Sequence, residues 1–194
     1  MINNVAKVKT IYQTLQNRGN YKEVEKDGPF PCLHNRAWLG PGYYFWEKWQ
    51  SNAHWWGEQI YGENYIICEA ECTITNDNCY DLVGNTDHLD EFENIYNAMV
   101  DNGRYGHDIK VADVIDILRN QMKSFNYEAI KSPSHGARRY NNQYSFNIKF
   151  KYDSQVKDNM SNKQRLEVRP LIQICIFKKS GLGLRDFHII YIPE

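Results

Sequence analysis

Residues 38–47 read Trp38-Leu39-Gly40-Pro41-Gly42-Tyr43-Tyr44-Phe45-Trp46-Glu47, and the fold turns on how this stretch is understood. Gly-Pro-Gly allows a tight turn in which backbone comes close to a ligand with no side chain in the way. The aromatic run after it reads as a strand. Ser51-Asn52 can then cap a helix running through Ala53, Trp56 and Ile60 to Gly62. Turn, aromatic strand and helix N-terminus together suit a flat ring and a phosphate. Alternation puts Tyr43 and Phe45 on one face and Tyr44 and Trp46 on the other, so the four cannot all serve one site. Most of these rings are expected to pack a core.

All five tryptophans (Trp38, Trp46, Trp49, Trp55, Trp56) fall in this region of a chain that also has 14 Tyr and 8 Phe, a composition foreign to disordered or fibrous proteins. With 194 residues, 42% hydrophobic, the chain can build one well-cored domain over 1–194 but not two comfortable ones. No apolar run is long enough to span a bilayer, and the start, MINNVAKVKT, lacks the apolar centre of a signal peptide. Five cysteines (Cys32, Cys68, Cys72, Cys79, Cys175), odd in number and irregularly spaced, argue against a disulfide framework. A cytoplasmic protein with no membrane association is expected.

Outward from the aromatic stretch, Val8–Thr14 is β-branched and reads as a strand, although Val5, Val8, Tyr12 and Leu15 also share a helical face. Asn20 to Asp27 reads as a short helix between Gly19 and Gly28-Pro29. Asn64–Ile74 and Cys79–Val83 read as strands. Thr86 opens an amphipathic helix with Leu89, Phe92, Tyr96, Met99 and Val100 on one face, and Val111, Val114, Ile115, Leu118 and Met122 mark another. Strands follow at Tyr127–Lys131, Tyr144–Phe150, Leu166–Phe177 and Phe187–Ile192, with polar loops at Ser132–Asn142 and Asp153–Gln164. This order predicts an α+β fold of split mixed or antiparallel sheets with flanking helices, not a βαβ alternation.

The net charge of −1 hides a split, with 7 Lys/Arg against 14 Asp/Glu in residues 1–97 and 16 against 10 in residues 98–194. Arg119 to Arg185 alone holds 14 Lys/Arg and 4 Asp/Glu, with Tyr140, Tyr144, Phe146, Phe150 and Tyr152 interleaved. Such a stretch suits single-stranded nucleic acid, through phosphate pairing and stacking, and equally suits a basic surface over an ordinary sheet. Cys68 and Cys72 share a strand face and have no matching Cys/His pair, so no metal is expected. Gly181-x-Gly183 lacks the strand-to-helix setting of a dinucleotide fingerprint.

Gly42-Tyr43-Tyr44-Phe45 followed by Ala53 at a helix start resembles the second motif of ADP-ribosyltransferases of the diphtheria-toxin/PARP type. WLGPGYYFWE with AHWWG is similar, more narrowly, to a group of bacterial proteins with a WLGxGxYFWE signature. Weaker likenesses lie at Lys9–Gln13, where relatives have a strand ending Tyr-His-Gly, and at Leu171–Cys175, where the catalytic Glu usually lies. About half of the chain is covered, and only the middle motif is specific.

The resemblance implies cleavage of the nicotinamide–ribose bond of NAD through an oxocarbenium-like transition state and transfer of ADP-ribose to a macromolecule. It implies Tyr44 stacked on nicotinamide, Gly42 contacting its amide, and Tyr43 and Ala53 among the NAD-binding positions. Gln13 stands where the family has a His that contacts ribose, and Gln173 where it has the catalytic Glu. A neutral amide at 173 can still bond a hydroxyl but cannot stabilise positive charge. Glu167 and Glu47 are candidate replacement carboxylates. Small stand-alone members look like toxins of toxin–antitoxin or phage-defence systems, which implies an antitoxin partner. The basic half favours nucleic acid over protein as acceptor. The alternative is a catalytically degenerate member that binds a nucleotide or nucleic acid, and a third reading uses the tryptophans as a protein interface.

Overall fold

The ten residues Lys7–Gln16 are extended throughout (β1) and pair along their whole length with Tyr65–Ile74 (β3), from Lys7↔Ile74 to Gln16↔Tyr65. This settles the choice between strand and helix at the start of the chain. Ile11, Tyr12 and Gln13 are buried consecutively, which requires a strand covered on both faces. The structure, a computed structural model, describes residues 6–34, 37–103, 108–134, 144, 146–149 and 165–194.

The remaining elements are α1 (Tyr21–Asp27), β2 (Tyr43–Glu47), α2 (Gln50–Tyr61), β4 (Cys79–Asp81), α3 (Thr86–Asp101), α4 (Val111–Gln121), β5 (Ala129–Pro133), β6 (Asn147–Lys149), β7 (Arg165–Glu167), β8 (Ile172–Ile176) and β9 (Arg185–Tyr191). Seven strands form one mixed sheet in the order β4-β5-β8-β2-β1-β3-β9, and β6-β7 form a separate ribbon. Only β4 and β5 are parallel, and α3 and α4 supply the long crossover that a parallel pair needs. The chain is therefore mixed α+β, with four α-helices among the described residues. The strands form a seven-stranded sheet, joined between β1 and β2 through Ile11↔Glu47 and Tyr12↔Trp46, and the separate β6-β7 ribbon.

Alternation along these strands sorts the core. One face carries Ile11, Phe45, Cys72, Ile174 and Ile176, packed against Leu182 and Phe187, and α1 joins this side through Val24. The other face is shared by two helical layers. Over β1–β3, α2 covers Tyr12, Trp46 and Tyr65 with Ala53 and Trp55. Over β4, β5 and β8, α3 and α4 cover Tyr80, Ile130 and Cys175 with Met99, Val114 and Leu118. The α2 layer lies so close to β3 that a Cβ on Gly57 would sit 2.5 Å from the Tyr65 ring.

Some boundaries differ from expectation. Residues 166–177 form two strands in different sheets, because Pro170 lacks the N–H that a central ladder needs. Helix α2 begins one residue before Ser51, with Trp49 at the N-cap and no side-chain cap. The expected loop at 153–164 and most of that at 132–142 lie outside the described residues.

Candidate functional site

The Gly-Pro-Gly turn is held by its own neighbours. The Tyr44 hydroxyl donates to the Gly40 carbonyl at 2.7 Å and accepts from the Leu39 amide at 2.9 Å. Gly42 N–H donates to the Cys32 carbonyl at 3.2 Å, and Cys32 N–H donates back to Gly42 at 2.7 Å. A Cβ on Gly42 would sit 2.4 Å from Cys175 Sγ and 2.8 Å from the Ile176 carbonyl, so this glycine is required by close strand packing. Arg119 of α4 donates to the Pro41 carbonyl at 3.3 Å, with its guanidinium 4.0 Å from the centre of the Phe177 ring. Burial, together with the neighbouring Cys175, pushes the Tyr44 phenol far above its ordinary range. Tyr44 stays protonated and serves as a clasp.

Gln13 is likewise engaged. Its Nε2 donates to the Phe30 carbonyl at 2.9 Å while Phe30 N–H donates to its Oε1 at 3.0 Å. Both ends of the amide thus bind one backbone residue. Register also separates Gln13 from the other candidates. Tyr12 pairs with Trp46 and Trp46 with Gln173, so these three share a face, and Gln13 points to the other side of the sheet. Tyr43 is on the Gln13 side, packed against the core around Phe45.

Gln173 is different. It is 4% exposed, and its Oε1 has no hydrogen-bond partner among the described residues. Its cross-strand neighbours are Trp46 on β2 and Ser132 on β5. The position falls where the α2 layer gives way to the α3/α4 layer, since Trp46 packs under α2 while Cys175 packs under α4. Among the described residues, Ser51 Oγ, in the first turn of α2, is the other buried side-chain atom without a partner. Asn52 ties that turn to the approach of β8 by donating to the Pro170 carbonyl at 3.1 Å. Ala53 is fully buried, and its carbonyl accepts from Thr14 Oγ1 at 2.9 Å.

Neither alternative carboxylate joins this row. Glu167 is on β7, in the ribbon, opposite Asn147. Glu47 lies on the opposite face from Trp46, in a buried charge cluster with Lys9 at 2.8 Å and Lys131 at 3.4 Å, and Lys131 also reaches Asp81 at 3.5 Å. Burial alone would lower the Lys131 pKa, but Glu47 and Asp81 outweigh it and raise it.

The structure adds Tyr12 and Glu69 to the row, neighbours across β1 and β3. Burial first, then Glu69, pushes the Tyr12 phenol up to about 12. Sequence reasoning centred on Gln13 and passed over Tyr12, because only the β1–β2 register reveals which of the two faces the same way as Gln173.

Among the clefts on the described surface are one of about 360 Å³ beside Phe125 and Phe177 and one of about 690 Å³ beside Tyr65 and Tyr191. Neither is lined by Gln13, Gly42, Tyr44 or Gln173. Among the described residues no group of three His, Cys, Asp or Glu could hold a metal ion, and no helix is long and apolar enough to cross a membrane. No known protein family, curated protein or solved structure matches the chain.

Proposed function

We propose that the chain is an NAD-dependent ADP-ribosyltransferase of the diphtheria-toxin/PARP kind, a cytoplasmic toxin or phage-defence effector that modifies a macromolecule. The observation that carries the reading is the unpartnered Gln173 carbonyl, buried beside Trp46 on the central strands. An unpaired buried acceptor costs about 1–3 kcal/mol, and a hydroxyl donor from a ligand would offset it. Supporting it, the three segments that resemble the family, Lys9–Gln13, Gly40–Trp46 and Leu171–Cys175, fall on or directly before three adjacent strands, β1, β2 and β8.

In this reading Gln173 accepts from a hydroxyl of the nicotinamide ribose, and the layer around Trp46 and Trp55 keeps water from the anomeric carbon. The nicotinamide–ribose bond breaks as a nucleophile of the acceptor bonds to the same carbon, and nicotinamide leaves. Tyr44 and Gly42 shape the wall without offering free polar groups. The positive balance of residues 98–194 supports nucleic acid as acceptor.

A second reading, a degenerate member that binds a nucleotide without reaction, is favoured by the neutral amide at 173 and the engaged amide of Gln13. Incubation with labelled NAD plus bulk RNA, DNA and protein separates the two. Label transfer with nicotinamide release, increased in Gln173→Glu, supports the enzyme. Saturable NAD binding with neither transfer nor release in either form leaves only the binder.

A further inference from the structure

The apolar stripe of α3 is wider than the core it meets. Asn85 caps the helix, its side chain accepting from the Asp87 and His88 amides. The buried line runs through His88 and Met99, with Phe92 and Ile95 half-buried beside it against the cluster that holds Tyr80 and Leu118. At 3.6 residues per turn, Leu89, Tyr96 and Val100 form a second line roughly 90° round the helix from the first. On it Leu89 is 42% and Tyr96 36% exposed, and Val100 is half-buried. From Leu89 to Val100 the helix rises about 16 Å, so three turns of apolar surface lie outside the core.

The charge beside that line has one sign. Thr86–Asp101 carries Asp87, Asp90, Glu91, Glu93 and Asp101 and no Lys or Arg. Glu91 faces the Tyr80 hydroxyl. The other four carboxylates are exposed and form no ion pair among the described residues. Asp101 stands at the C-terminal end of α3, where the helix dipole disfavours a negative charge and no basic residue in the last turn answers it. A surface of this sign repels nucleic acid and anionic lipid, and two copies of it repel each other. Its complement is a protein segment with an apolar seam and a basic rim.

We propose that the Leu89–Tyr96–Val100 flank of α3 docks a basic amphipathic helix of a partner protein, with the partner's Lys and Arg side chains over Glu93, Asp90 and Asp101. The surface is separate from the Gln173 row and does not depend on the NAD reading. The probe is a fluorescein-labelled helical peptide with a leucine seam and a lysine rim, titrated into the full-length protein and followed by anisotropy. Two comparison peptides replace every lysine by glutamate or every leucine by serine. The lysine–leucine peptide should bind saturably, and each comparison peptide at least tenfold more weakly. Raising the salt should weaken the first peptide, because part of its attraction is screened. Leu89→Gln combined with Tyr96→Gln keeps good helix formers at both positions and should weaken binding at least tenfold with an unchanged circular dichroism spectrum. Glu93→Lys should weaken it as well. Ile60→Gln, which alters an apolar side chain 51% exposed on α2, should bind as the unmodified chain does. Absence of binding by the lysine–leucine peptide overturns the proposal, as does equal binding of the glutamate peptide or an effect of Ile60→Gln as large as that of the α3 pair. Sedimentation showing a dimer that the α3 pair dissociates would make a second copy the occupant and overturn it too.

Discussion

The Tyr44 hydroxyl donates to the Gly40 carbonyl four residues earlier, and through the same oxygen it accepts from the Leu39 amide. The most conspicuous tyrosine in the sequence therefore closes its own turn. Tyr44→Phe removes the oxygen and keeps the ring, leaving a fully buried Leu39 without its amide acceptor. Chemical denaturation should show a loss of about 1–3 kcal/mol. No change in midpoint would mean that the clasp is dispensable.

Gly42→Ala places a methyl group against Cys175 Sγ and the Ile176 carbonyl. Because one obstacle is backbone in a central strand, relaxation is limited and a loss of about 1–3 kcal/mol is expected. Gly40→Ala has open space at its Cβ but a φ of 80°, so its cost comes from backbone strain. Comparing the two denaturation midpoints with a crystal structure of Gly42→Ala tests this distinction, since only the latter should displace β8.

Glu47, with a side chain 5% exposed, sits between Lys9 and Lys131. Glu47→Ala leaves the partly exposed Lys9 without its carboxylate and Lys131 with Asp81 alone, and should cost about 1–3 kcal/mol. Glu47→Gln keeps an acceptor and should cost less. A double-mutant cycle with Lys131→Met measures the coupling directly, and a value near zero would show that the cluster holds nothing together.

His88 Nδ1 accepts from Asp81 N–H at 2.8 Å, Nε2 lies 3.0 Å from the Tyr127 hydroxyl, and the ring stacks on Tyr80 at 4.4 Å. A backbone N–H only donates, so Nδ1 must be unprotonated. Burial lowers the His88 pKa, against the opposing pull of Glu91 and Asp81. A depressed folded-state value means the unfolded chain takes the proton first. The neutral-His88 contribution is thus complete above about pH 6.5, declines as pH falls below it, and is gone once pH drops past the folded-state value. Denaturation midpoints from pH 7.5 to 5 should fall, and His88→Gln should flatten that slope. An unchanged slope in the variant would remove His88 as its source.

Local pattern made most elements legible. The helices at Thr86–Asp101 and Val111–Gln121 and the strands at Val8–Thr14 and Tyr65–Ile74 lie where their patterns place them, but the buried face of α3 runs through His88 and Met99 while Leu89 and Tyr96 of the expected stripe are exposed. What local pattern lacks is register. Nothing within residues 9–13 tells whether Tyr12 or Gln13 faces Gln173; that follows from Tyr12↔Trp46, a pairing of residues 34 positions apart. The same holds for partners of polar groups. Gly42 and Gln13 have the composition of ligand contacts, yet Cys32 and Phe30 occupy them, and those backbone partners leave no trace in side-chain type. Glu167 and Gln173 read as one strand, whereas Pro170 falls between β7 and β8, which belong to different sheets.

The central claim is that NAD binds at the Gln173 row, and Trp46 beside Gln173 offers the reporter. Titrating NAD into the protein while following tryptophan fluorescence should give a saturable change, weakened at least tenfold in Gln173→Leu and retained in Gln173→Glu. No saturable change up to 5 mM NAD, or an identical curve for Gln173→Leu, would contradict it.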